Sequence, residues 1–159
     1  KWKELCKILP YSDVSHYMKP PLRRQSEDKN LWNNIYKDIA IEIVCETNTT
    51  PDTFFMTEKI IRPIAYGKLF LVIGSPNFES NLKHIGFDIF DDIIDKNYDK
   101  DSSYMRVDNV FQSLEKFLSN PIDIEALLPR LEANKKVLNK LPVTMAGNKI
   151  AKLLGFDNE

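Results

Sequence analysis

Residues 45–74 read C-E-T-N-T-T-P-D-T-F-F-M-T-E-K-I-I-R-P-I-A-Y-G-K-L-F-L-V-I-G, and this stretch decides the fold. A β-branched apolar run, Ile39–Cys45, leads into it and predicts a strand. Asn48–Asp52 is turn-rich, with Pro51-Asp52 as punctuation. Thr57 is placed to cap a helix and Glu58 falls in its first turn. That helix would run from Glu58 to Tyr66 and bury Ile60, Ile61 and Ile64. Pro63 removes a backbone donor and should kink or shorten it, and Gly67 supplies its stop. Lys68–Gly74 is a second strand, apolar almost throughout, as parallel strands covered on both faces are.

Outward from this unit the pattern continues. Ser75-Pro76-Asn77 turns the chain, Asn77–His84 is a helix closed by Gly86, and Phe87–Phe90 is a short third strand or extended piece. The centre therefore reads β-α-β-α-β, the alternation of a doubly wound parallel sheet. Asp91 to Asp101 is an acidic surface segment around Tyr98, and Arg106 reads as surface. Tyr104–Leu118 places Val107, Val110, Phe111, Leu114, Phe117 and Leu118 at helical spacing. Ile122–Leu138 and Val143–Leu154 are further helices. Before the first strand, Trp2–Leu9 reads as a short helix, 10–30 as irregular and basic, and Leu31–Asp38 as a short helix or an aromatic-packing loop. Three regions are expected: a basic segment 1–38, a Rossmann-like domain 39–120, and C-terminal helices 121–159.

With 159 residues, 43% hydrophobic and 28% charged, the chain can build one ordinary core. Its formal net charge of -1 argues against a general nucleic-acid or anionic-membrane binder. Cys6 and Cys45 are too far apart for a metal-ligand pattern, and Cys45 reads as a small buried hydrophobe in its strand. Asp91, Asp92 and Asp95 read as a solvated acidic face, so no metal is assigned. No run reaches the length of a membrane span, and a cytoplasmic setting is expected.

Ligands of open parallel sheets lie beyond the carboxyl ends of the strands. Glu46 to Thr50 and Ser75-Pro76-Asn77 would share that rim. The helix opening at Thr57-Glu58 offers free N–H groups and a positive dipole end to an anion. Lys59 and Arg62 could neutralise phosphate charge, and Glu46 or Glu58 could accept hydrogen bonds from ribose or sugar hydroxyls.

The segment C-E-T-N-T-T-P-D-T-F-F-M-T-E-K-I-I-R resembles the donor-binding motif of the α-1,3-fucosyltransferase family. The runs after it, P-I-A-Y-G-K-L-F-L-V-I-G-S-P-N and L-K-H-I-G-F-D-I-F-D-D-I-I-D-K-N-Y-D, resemble small viral and bacterial glycosyltransferase-like proteins. The resemblance spans about residues 39–117. It implies a GT-B fold of two Rossmann-like halves, with this chain supplying the C-terminal half that holds a nucleotide-sugar, typically a GDP-sugar. By the same resemblance Glu58 contacts the donor ribose, Lys59 the diphosphate, and Glu46 is the acidic residue of the first loop. Arg62 is then the basic residue one turn on, and Asn48 corresponds approximately to a neighbouring polar position. Phe55 stands where the fucosyltransferases carry Tyr, which removes a hydroxyl contact.

The expected fold is thus α/β, a Rossmann-like half-domain with a parallel sheet and extra C-terminal helices. The expected function is binding of a nucleotide-sugar donor for sugar transfer to an unknown glycan or other acceptor. The donor would be held by Glu46, Asn48, Thr57, Glu58, Lys59 and Arg62, without metal or cofactor. Residues 1–38 would be the end of a missing N-terminal half, and such a half or a partner chain would be a partner of this chain. The alternative is a non-catalytic nucleotide- or partner-binding module derived from such a domain.

Overall fold

The computed structural model describes residues 29–47, 49–50, 54–102 and 104–141. Asn48, Pro51-Asp52, the Trp2–Leu9 helix and the Val143–Leu154 helix expected from sequence lie outside the described residues. The chain divides into two compact units, 1–38 and 39–159. In the first unit the described residues, 29–38, hold α1, Lys29–Tyr36, so the helical alternative holds there. The rings of Trp32 and Tyr36, four residues apart and hence on one helix face, lie 6.1 Å apart.

The second unit is mixed α/β. Strands β1 (Ile41–Cys45) and β2 (Leu69–Ile73) pair in parallel, with Ile41 opposite Leu69 and Cys45 opposite Ile73. Helix α2 (Glu58–Ala65) joins them. Then come α3 (Phe78–Ile85), a 3₁₀ turn (Asn97–Lys100), α4 (Arg106–Leu118) and α5 (Ile124–Lys140). Helix α2 packs on both strands and on α5, while α4 packs on β2. Ile60, Ile61 and Ile64 of α2, Leu69 to Val72 of β2, and Leu82, Phe87, Phe90, Ile94, Val110 and Leu114 form the core.

Strand β2 is covered on both faces, as its continuous apolar run requires. Strand β1 is not: Val44 is buried, Ile41 to Ile43 are half-buried, and Cys45 is exposed. The expectation of a buried cysteine fails because β1 ends at Cys45 and its principal cover is α2 alone, whereas β2 also has α4.

The third strand does not form: the sheet has two strands among the described residues. The backbone of Phe87–Phe90 is satisfied elsewhere. The Asn134 amide in α5 accepts from the Asp88 N–H and donates to the Asp88 carbonyl, both at 2.7 Å. The Asp88 carboxylate then accepts from the Phe90 N–H at 2.8 Å, and Phe90 takes a φ of 60°. A side-chain amide thus does for Asp88 what a neighbouring strand would do.

Candidate functional site

Parallel pairing brings the carboxyl ends of β1 and β2 to one edge, and the ladder extends one residue further through the Glu46 N–H to the Ile73 carbonyl, 2.9 Å. Glu46 and Thr47 after β1 share this edge with Gly74 to Asn77 after β2. The expected rim therefore exists.

Helix α2 begins on it. Thr57 is the N-cap, its hydroxyl oxygen accepting from the Lys59 N–H at 3.1 Å. The same hydroxyl donates to Glu46 Oε2 at 2.6 Å. Glu46 is 6% exposed, and its second oxygen, Oε1, is buried without a hydrogen-bond donor. The Lys59 ammonium reaches back across the rim and donates to Thr47 Oγ1 at 2.7 Å. Glu46, Thr47, Thr57 and Lys59 thus form one cluster. Thr47 had no sequence signal beyond its loop position.

Glu58 lies half-buried in the first turn of α2, where a carboxylate favours the positive helix end. Arg62 stands one turn on, in the last turn of α2, where its charge acts on Tyr66. Burial raises the Tyr66 hydroxyl above its ordinary value, and Arg62 opposes that rise. Phe55, at the approach to α2, is 66% exposed, while its neighbour Phe54 packs on Phe78 with ring centroids 5.1 Å apart.

The second half of the rim is built differently. The N-cap of α3 is Asn77, in the left-handed region at φ 61° and with no side-chain cap of its own. The cap comes from Asp99, about twenty residues on. Its Oδ1 accepts from the Glu79 N–H at 2.9 Å, and its Oδ2 from the Ser80 N–H and hydroxyl at 2.8 and 2.7 Å. The Asp99 carbonyl accepts from the Asn77 N–H at 2.6 Å. Arg106, buried, donates through Nη1 to the Gly74 carbonyl and through Nη2 to the Asp99 carbonyl at 3.3 Å. Two readings from sequence are corrected here. The 91–101 run is not surface throughout, since Tyr98 and Asp99 are buried. Arg106 is a buried clamp, drawn in by carbonyls at the end of β2 and in the 3₁₀ turn, and its burial lowers its pKa.

Asp91, Asp92 and Asp95 of the run are ion-paired, and Asp101 accepts from the Asn109 amide at 3.0 Å. Asp91 pairs with Lys83, Asp95 with Lys116, and Asp92, like Asp88, with Arg130. The Arg130 guanidinium also lies 4.9 Å from the Phe90 ring centroid. Among the described residues no group of three His, Cys, Asp or Glu is placed to hold a metal. No described helix is long and apolar enough to cross a membrane.

The chain matches no protein-family model, no curated protein and no solved structure. The chemistry of the rim therefore rests on its own geometry: an α2 terminus carrying a lysine, two threonines and a buried carboxylate oxygen, beside an α3 terminus filled by Asp99.

Proposed function

We propose that the unit from Ile39 onward is a Rossmann-like half-domain of the GT-B kind that binds a nucleotide-sugar donor for sugar transfer. The observation that carries this reading is Glu46 Oε1, buried at the carboxyl edge of a parallel sheet with no donor among the described residues. A desolvated carboxylate oxygen is costly unless it receives a hydrogen bond. A ribose or sugar hydroxyl supplies one. Lys59, held over the rim by Thr47, then lies where a diphosphate would accept from its ammonium and from the first N–H groups of α2. The residues would act by positioning the donor and offsetting charge as the nucleoside diphosphate leaves. A GDP-sugar is the donor that the sequence resemblance favours, with Glu58 near the ribose and Arg62 one turn away.

Calorimetric titration of the full chain with GDP, UDP and their sugars tests this. A nucleoside diphosphate should bind, and Glu46→Gln and Lys59→Ala should each weaken it by about tenfold, the scale of one charge-assisted hydrogen bond. Absence of binding to all of them would end the reading. The filled α3 terminus favours a second reading, a non-catalytic nucleotide-binding module, because half of the rim has no room for an anion. That module would bind the diphosphate yet release no sugar from any donor.

A further inference from the structure

Glu79 in α3 is fully buried. Its Oε1 accepts from the Lys96 ammonium at 2.7 Å, and its Oε2 has no hydrogen-bond partner. Lys96 does not depend on this carboxylate alone. It also donates to the Phe70 carbonyl at 2.9 Å and to the Tyr98 hydroxyl at 3.2 Å. Its ammonium lies 5.5 Å from the Phe70 ring centroid and 5.8 Å from that of Tyr98. With Glu79 neutral, the lysine therefore keeps a carbonyl, a hydroxyl and two aromatic faces.

The charged and titratable groups around Glu79 come from three elements. The segment before the 3₁₀ turn gives Lys96, the turn gives Tyr98 and Asp99, and α4 gives Arg106. Strand β2, L-F-L-V-I, brings no titratable side chain, only the Phe70 carbonyl to Lys96. Two carboxylates thus share this interior with two cations. The Asp99 carboxylate is fully engaged at the α3 terminus, whereas Glu79 is fully buried and its charge is eased only by Lys96 and the Tyr98 hydroxyl.

We propose that Glu79 is a proton-sensing group in the joint between α3, the 3₁₀ turn and β2, protonated when the joint is tight and ionising as it loosens. Burial supports this by pushing the Glu79 carboxyl up to about 7, against the opposing pull of Lys96 and of the Tyr98 hydroxyl. Ionisation puts a charge in a fully buried site beside the Asp99 carboxylate, so a higher pH weakens the joint. Asn77, whose N–H is held by the Asp99 carbonyl, transmits the loosening to the β2 side of the rim. The inference does not depend on what the rim binds.

An NMR titration of the full chain, labelled with carbon-13 and nitrogen-15, tests it without any variant. The Glu79 carboxyl carbon should inflect near neutrality. Protection of the Asn77, Glu79 and Ser80 amides, corrected for base-catalysed exchange, should fall by up to about tenfold per pH unit between the ordinary glutamate range and neutrality, then level off. In Glu79→Gln, whose amide oxygen can still accept from Lys96, that dependence should vanish. A Glu79 inflection at about 4.5, or the same pH-dependent loss in the variant, would overturn the proposal. If the variant does not fold, the wild-type inflection decides by itself.

Discussion

A single hydroxyl, that of Thr57, both starts a helix and holds a buried carboxylate. It accepts from the Lys59 N–H and donates to Glu46, so Thr57→Ala removes two bonds at once. The cap alone is worth about 1 kcal/mol. Chemical denaturation should show a loss of at least that size, and Thr57→Ser should recover most of it. Thr57 and Glu58 were legible from sequence because capping is a local rule. The role of Asp99 was not, because its partners at Glu79 and Ser80 lie about twenty residues back and nothing local marks them. Asp99→Ala should cost about 1–2 kcal/mol, the upper range for a cap. It should also open the α3 terminus to inorganic phosphate, seen as phosphate-dependent shifts of the Glu79 and Ser80 amides.

Helix α2 is short and carries Pro63 in its interior, yet it forms as the sequence predicts. Proline lacks the N–H that would bond back to Lys59, and the helix ends two residues later. Its exit compensates. The Gly67 N–H donates to the Ile64 carbonyl at 3.1 Å and the Lys68 N–H to the Pro63 carbonyl at 2.8 Å. That pair closes a Schellman turn, and Gly67 sits at its left-handed position with φ +63°. A Cβ there would also meet Lys135 Cε at 2.8 Å. Gly67→Ala should therefore destabilise by about 1 kcal/mol, read by thermal unfolding, with Lys135 swinging aside. The missing third strand teaches the converse. Phe87–Phe90 has strand-like composition, but propensity describes only a side chain's fit to a pleated surface. The decision was made by Asn134, more than forty residues on in a helix where it reads as an ordinary polar residue.

Long-range polar ties join parts of the second unit in addition to its apolar core. Asn134→Ala would strip partners from two backbone groups of Asp88 and should cost about 2–3 kcal/mol. Stability against pH should have a maximum. The Glu79 pKa is raised in the folded state, so its contribution is full below about 4.5 and is lost as pH rises through about 7. Asp92, hydrogen-bonded by Arg130, and Asp95, bonded by the Asn97 N–H and Lys116, are lowered instead. Their contributions are present above the ordinary aspartate range and vanish as pH falls through their folded values. Denaturant midpoints should therefore peak in mild acid and decline on both sides. This profile was invisible in the sequence, where Glu79 and Lys96 are seventeen residues apart and carry no mark of burial.

The ties from Arg130 and Asn134 to Asp88 and Asp92 also impose an order on biosynthesis. The loop that carries Asp88 leaves the ribosome well before α5 does, since its partners lie 38 to 46 residues downstream. Until then the Asp88 backbone N–H and carbonyl have water for partners, and only the local bond from the Phe90 N–H to the Asp88 carboxylate holds the turn. A nascent chain halted within α4 would hold its two strands without the clamp that closes the region after α3. It would be open there to proteases and chaperones, and would become resistant only once Asn134 had emerged.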